Sequence, residues 1–378
     1  MRKRRVANGE GCIYQRSDGQ WVGSLSVRQP GGGRKRKVVY GRTQKEVQEK
    51  VTTLRAERQA GLPIPIGRIT GEAFFARWLE TMEGTVRPTT FRRYSECIRL
   101  HVTPTLGSMA LQQIGPSDLQ ALYAEKRKHL SARSVLHIHR IIHEALGQAA
   151  RWNLVPRNAA GLVKAPRVER VEMKVWSREE ARLFLRETEA DRLAALYALA
   201  LATGMRQGEL LGLRWSAIDL DRGRVSVQKT LYRAVGGQYQ LLEPKTASSR
   251  RSIDIDPAVV LAVRQRRKEQ KEERLRAREG WLNEMDLVFT SPLGLPLDGT
   301  YVTAAFQEKA KKLGLPPIRF HDLRHTCATI LLQDGVHPKV VQEMLGHSTI
   351  AITLDTYSHV VAGMHQEASR AMGKALFG

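Results

Sequence analysis

Gly61-Leu-Pro-Ile-Pro-Ile-Gly67 breaks every periodicity on either side of it. Two prolines and two glycines in seven residues remove backbone donors and weaken any regular element, so neither a helix nor a strand runs through. The chain must fold as separate pieces. Its 378 residues also exceed what one core usually supports, since single cores stop growing near roughly 250–300 residues. The pattern predicts domains at 1–60, 68–156 and 170–378, with a second linker read within 157–176.

Charge narrows the partners. Lys and Arg number 61 against 38 Asp and Glu, a net +23. The excess is front-loaded: residues 1–60 hold 15 basic and 5 acidic side chains. Such an imbalance is self-repulsive without a polyanion, and points to nucleic acid. No stretch approaches the roughly 18 consecutive apolar residues of a spanning helix, and the opening Met-Arg-Lys-Arg-Arg has no signal-peptide core behind it, so no membrane partner is expected. Cys12, Cys97 and Cys327 are odd in number and scattered, which fits a reducing cytoplasm.

Residues 11–16 and 21–27, around a Ser17-Asp18-Gly19 turn, read as a β-hairpin. A turn at Gln29–Gly33 leads to a third strand at 34–40. Thr43 then caps a helix carrying Val47, Val51 and Leu54. Arg28, Arg34, Lys35, Arg36 and Lys37 sit where a sheet could touch phosphates. Beyond the linker come four helical patterns, punctuated by Pro88, Pro104, Pro116 and Pro156, with Thr85, Thr105 and Ser117 as start signals. Arg92, Arg93, Arg99, Arg127, Lys128 and Arg133 make their basic face. His137, His139 and His143 cluster in the last helix, but their spacing puts only two on one face, and no carboxylate or cysteine completes a metal set.

The remaining two hundred residues read as mainly helical, with strands at Arg224–Leu231, Tyr239–Leu242 and Arg251–Asp256. Val259–Glu279 reads as a charged helix with a solvated face. No phosphate-cradling or dinucleotide glycine motif occurs, and no zinc or two-metal set. Four places stand out. An apolar helix breaks at Thr203-Gly204, and Arg206 heads a new one with Glu209 a turn on. Burying that arginine among Leu and Met requires a salt bridge or an anion. Lys245 follows Pro244 at a hairpin tip. His321-Asp322-Leu323-Arg324-His325-Thr326 sets His321 and Arg324 a turn apart. His347 and Tyr357 close the series.

Thr203-Gly204-Met205-Arg206-Gln-Gly-Glu209, Pro244-Lys245-Thr246, His321 to Thr326, Leu345-Gly346-His347 and Tyr357 together resemble the tyrosine recombinases, most of all the integrases of phages and integrative elements. The resemblance implies a small three-stranded sheet with a helix, an all-α core-binding domain, and a mainly α catalytic domain with a small antiparallel sheet. It implies a site-specific recombinase that joins DNA through a 3′-phosphotyrosyl link. Arg206 and Arg324 would grip the non-bridging oxygens as planar forks, and His347 would donate a further hydrogen bond. Tyr357 would be the nucleophile, with His321 as candidate base, and Lys245 would protonate the departing 5′-oxygen. Glu209 would orient the arginines and His325 would support them. No cofactor or metal is implied, since the cations are side chains. The implied partners are double-stranded DNA at core and arm sites, a homotetramer on that DNA, a host bending protein and an excision factor, in a bacterial cytoplasm. The last stretch, with Val361, Met364, Ala368, Met372 and Leu376 on one stripe, would dock on a neighbouring protomer. The rivals are a non-catalytic DNA-binding regulator, a nicking-closing topoisomerase, and a chromosome-dimer or conjugative-element recombinase.

Overall fold

The computed structural model describes residues 12–28, 34–59, 69–169, 173–234, 236–243, 250–357, 370 and 372–377. The chain divides into two compact units, residues 1–170 and 171–378.

The first unit opens with β1 (Cys12–Gln15), β2 (Trp21–Arg28) and β3 (Arg34–Gly41), an antiparallel sheet in that order. Its register runs from Trp21 opposite Gly41 to Arg28 opposite Arg34. The expected Gln29–Gly33 turn lies outside the described residues. Helix α1 (Gln44–Gln59) starts where Thr43 Oγ1 accepts from the Glu46 amide at 3.2 Å. It packs so closely that a Cβ on Gly23 would sit 2.6 Å from Val51 and 2.7 Å from Val47. Leu25, Val47 and Val51 fill the space between sheet and helix. Strand alternation divides the basic residues of β3. Arg36 is exposed with Val38 and Tyr40, while Lys37, opposite Leu25 in the register, is half-buried.

The helical part holds α2 (Gly71–Met82), α3 (Pro88–Cys97), α4 (Thr103–Leu106), α5 (Pro116–Arg127) and α6 (Ala132–Arg151) around Phe74, Phe75, Trp78, Leu119, Ile138 and Ile142. Two sequence expectations change here. Thr85, Thr105 and Ser117 do not cap: prolines 88, 104 and 116 open their helices, and the capping hydroxyls belong to Thr70 and Ser131. Pro104 does not stop α3 either. A π turn, Ile98–Val102, joins α3 to α4, and the Thr103 amide reaches back to the Ile98 carbonyl. Widening the turn accommodates a residue with no N–H to donate. His139 Nδ1 lies 3.1 Å from the Tyr123 hydroxyl, and no trio of ligating side chains that could hold a metal is present among the described residues.

The second unit holds α7 (Arg178–Glu187), α8 (Ala194–Thr203), α9 (Gln207–Leu211), β4 (Ile218–Asp219), β5 (Arg224–Val227), β6 (Thr230–Arg233), β7 (Tyr239–Leu242), β8 (Arg251–Asp254), α10 (Pro257–Ala277), α11 (Gly299–Lys312), α12 (Asp322–Gln333), α13 (Pro338–Leu345) and α14 (Ile350–Thr356). The strand expected at 224–231 is two strands in two sheets. β5 lies between β4 and β8, whereas β6 pairs only with β7. Trp176, Phe184, Tyr197, Phe306 and Phe320 centre the core.

Helix α10 is not the solvated helix its charges suggest. Val263, Arg266, Gln270 and Glu273 recur at helical spacing and are buried. The Glu273 carboxylate accepts from Arg266 at 3.0 and 2.8 Å and from Arg192 at 2.7 and 3.0 Å. Gln270 accepts from Trp215 Nε1 at 2.6 Å and donates to the Val288 carbonyl at 3.1 Å. A charged stripe can face inward when every charge on it has its partner. Of the expected terminal helix, residues 372–377 are helical with Met372 and Leu376 exposed; residues 358–369 lie outside the described residues. No helix among the described residues is long and apolar enough to cross a membrane.

Candidate active site

Gly204 ends α8 in the left-handed region at φ +59°, which a side chain would strain, and an added Cβ there would meet Leu345 at 2.5 Å. That bend delivers Arg206 to the start of α9. The Arg206 amide donates to Glu209 Oε2 at 2.9 Å, and its guanidinium donates to Oε1 at 2.8 Å. From helix α12, Arg324 sends Nη1 to the Gly204 carbonyl at 2.7 Å. Sequence reading placed these residues together, and the fold brings them together.

It missed Arg251, read only as the start of a strand. Arg251 Nη2 donates to Glu209 Oε2 at 2.9 Å, so one buried carboxylate serves two guanidiniums. Burial acts to raise Glu209, but the Arg251 hydrogen bond and charge, with Arg206, hold it below the usual carboxylate range. Among the described residues, no carboxylate pairs directly with Arg324. That arginine is 3% exposed, and its Nη2 has no hydrogen-bond partner among the described residues. Burial, with Arg206 and Arg251 nearby, lowers it to about 10. Three guanidiniums around one carboxylate leave an excess of positive charge. Arg206, 39% exposed along its side chain, opens that excess to solvent.

Tyr357 follows α14 and is fully buried, packed with Leu332, Val341 and Leu345. Its hydroxyl lies 2.8 Å from His325 Nδ1. The expected base, His321, is exposed at the start of α12 with its ring centroid 5.4 Å from that of His325. Burial pushes the tyrosine up, against the pull of Arg324. Burial, then the neighbouring His321, brings His325 down to about 4, so a neutral ring faces the hydroxyl at pH 7. His347 follows Gly346, another left-handed glycine at φ +68°, and its Nδ1 lies 2.8 Å from Thr353 Oγ1. Burial and the charge of Arg324 lower it to about 4. Lys245 lies outside the described residues. On either side of its segment, Glu243 and Arg250 pair at 2.7 Å. With Lys229, Arg251, Ser226 and Ser252 they line an open cavity of about 590 Å³.

Residues 177–363 match the phage integrase family, and residues 70–127 match the phage integrase N-terminal SAM-like domain. A tyrosine recombinase XerC-like protein of Caldanaerobacter subterraneus subsp. tengcongensis is 29% identical over 345 residues, covering 86% of this chain and 88% of the relative. Two solved structures share the architecture. The Tn1549 transposon integrase in complex with transposon right end DNA aligns with a TM-score of 0.68 and 24% identity, over 82% of this chain and 100% of that one. A lambda integrase tetramer bound to a Holliday junction gives 0.58 and 19%, over 91% and 94%. Arginines clustered at a helix break, with a buried tyrosine and two histidines close by, sit within the region that the family profile spans. The chain belongs to the tyrosine recombinase and phage integrase family. It is a site-specific recombinase of the tyrosine type, an integrase for mobile-element integration.

Proposed function

We propose that this chain cleaves and rejoins DNA at a phosphodiester seated on Arg206, Arg324 and His347, with Tyr357 as nucleophile. The observation that carries the reading is the buried Arg324, whose Nη2 has no hydrogen-bond partner among the described residues, beside a buried tyrosine. The phosphate oxygens supply the acceptors that Arg324 Nη2 lacks, and the extra negative charge of the pentacoordinate state strengthens those bonds as it forms. The Tyr357 O–H bond breaks as its oxygen attacks phosphorus. The proton passes to a neutral imidazole, and the 2.8 Å contact favours His325, with His321 behind it. The bond to the 5′-oxygen breaks, and Lys245 gives that oxygen a proton. A 3′-phosphotyrosyl link remains, and reversal onto a second strand rejoins the DNA without an external energy source. Glu209 holds Arg206 in place.

Residues 170–378 act as the catalytic domain and 68–156 as the core-binding domain, where the exposed Arg92, Arg93, Arg99, Arg127, Lys128 and Arg133 supply phosphate contacts. Residues 1–60 bind accessory arm sites through the sheet that carries Arg28, Arg34, Lys35, Arg36 and Lys37. Four protomers exchange strands in two steps, as the tetrameric lambda integrase on a Holliday junction supports. A host bending protein and an excision factor assist in the bacterial cytoplasm, and the same enzyme excises the element.

The test is a nicked duplex built from DNA flanking the element, run on a denaturing gel. Wild type should leave an SDS-resistant protein–DNA band, and Tyr357→Phe should lose it while binding normally by gel shift. A band that persists in Tyr357→Phe would sink the assignment. Removal of residues 1–60 should spare core cleavage and abolish integration; an unchanged integration frequency would refute the arm role.

A further inference from the structure

Arg251 ties α9 to the end of α13. It is the first residue of β8, its side chain is 6% exposed, and its partners are 42 and 93 residues away in sequence. Nη2 donates to Glu209 Oε2 at 2.9 Å, and Nε donates to the Met344 carbonyl at 2.6 Å. Met344 lies in the last turn of α13, where carbonyls have no partner within the helix and a cation is favoured. Three residues on stands His347. The Gln342 carbonyl accepts its amide at 3.1 Å, the Gln342 side-chain amide donates to its carbonyl, and Thr353 holds its ring. Glu209, the other partner, orients Arg206.

We propose that Arg251 is a positioning residue of the phosphate site: it locks the end of α13, and with it His347, to the carboxylate that fixes Arg206. The inference rests on the reading above, in which Arg206 and His347 grip one phosphate. A guanidinium can bridge the two because Nε and Nη2 point along separate directions of one rigid plane. A lysine has one nitrogen on a flexible stem and cannot hold both acceptors in that geometry. Its partners among the described residues, the Glu209 carboxylate and the Met344 carbonyl, are neither the nucleophile nor a group that moves a proton. What it sets is the spacing between two groups that act on the same phosphate, where an error of about 1 Å can cost on the order of 100-fold in rate.

Arg251→Met and Arg251→Lys should bind the flanking-DNA duplex within about twofold of wild type, yet form the covalent band on the order of 10- to 100-fold more slowly at saturating DNA. Histidine NMR separates position from charge. His347 is faced by Arg324, Arg206, His325 and Arg251. Its titration should move up in Arg251→Met, where one repelling charge is gone, and stay in place in Arg251→Lys, although both variants are slow. Arg251→Lys keeps the buried charge and serves if Arg251→Met does not fold. Cleavage within threefold of wild type in the folded variants overturns the proposal. So does a parallel loss of binding and cleavage, which would make Arg251 a plain DNA contact. A wild-type protein that binds but never forms the band defeats the parent reading, and this one with it.

Discussion

The second unit contains two buried glutamates, each holding two arginines, and they do opposite things. Glu273 accepts from Arg266 and Arg192, four hydrogen bonds in all, and ties α10 to the start of α8. Glu209 accepts from Arg206 and Arg251 and ties α9 to β8. The first cluster is closed. The second has a third guanidinium, Arg324, with one nitrogen that no described residue satisfies. A shared carboxylate is therefore not the mark of a site, since both clusters have one. The mark is charge left over, and the comparison turns on that leftover charge.

The largest effect should come from removing it. Arg324→Met, which keeps most of the side-chain volume, should slow covalent-complex formation by on the order of 10²–10³ or more, the usual loss for one donor to a developing oxyanion. Its melting temperature should stay level or rise, because the folded state no longer confines a buried cation. A variant that unfolds instead would place Arg324 with the structural arginines and collapse the distinction.

Next in size is the reverse experiment. Glu273→Gln takes from Arg266, which is 2% exposed, its doubly hydrogen-bonded carboxylate and leaves it only Glu269 at 3.7 Å, and breaking a buried pair by removing one partner costs about 3–5 kcal/mol. For a unit of this size that is a fall on the order of 10 °C in melting temperature. Cleavage at a temperature where the variant is still folded should match wild type within threefold. Glu209→Gln should fail in both respects, losing stability through Arg251 and rate through Arg206. Equal catalytic defects in the two glutamine variants would mean that the α10 cluster also shapes the site.

These clusters also show what could be read from the chain. The motifs that hold Arg206, Arg324, His347 and Tyr357 were legible as a set through their resemblance to a known family, and the glycines in two of them record local bends. Gly204 and Gly346 make those bends. Arg251 and Glu273 were not legible. Arg251 was read only as the start of a strand and Glu273 as part of a solvated helix face, and their distant partners, Glu209 and Arg192, lie 42 and 81 residues away. The three-stranded sheet and α1 followed from alternation and a capping threonine. The division between β5 and β6 did not, since Gln228 and Lys229 carry no turn residue and the strand changes sheets because β5 pairs with β8 while β6 meets β7. Close packing of β6 on α9 adds to this: a Cβ on Gly212 would lie 2.6 Å from the Leu231 amide nitrogen.

The smallest effect separates the clusters by pH. Burial acts to raise both Glu273 and Glu209, and their arginines more than offset it, so each titrates below an ordinary carboxylate. A group depressed in the folded state binds fewer protons there than when unfolded. Its contribution is present above about pH 4.3 and is lost as pH falls through the folded value. His325 and His347 open a second window. Each is brought down to about 4, whereas an unfolded histidine titrates near 6.5. Between those values the unfolded chain holds the extra protons, so stability declines as pH falls. No histidine is among the groups that shift Glu273. Melting temperatures taken at intervals from pH 7 to 3.5 should therefore show Glu273→Gln flattened only below about pH 4.3, with its slope between 6.5 and 4 like that of wild type. His347→Gln should be shallower between 6.5 and 4 and keep the carboxylate limb. A His347→Gln profile parallel to wild type across that window would mean that neither burial nor the positive charge around Arg324 holds the histidine down in the folded state.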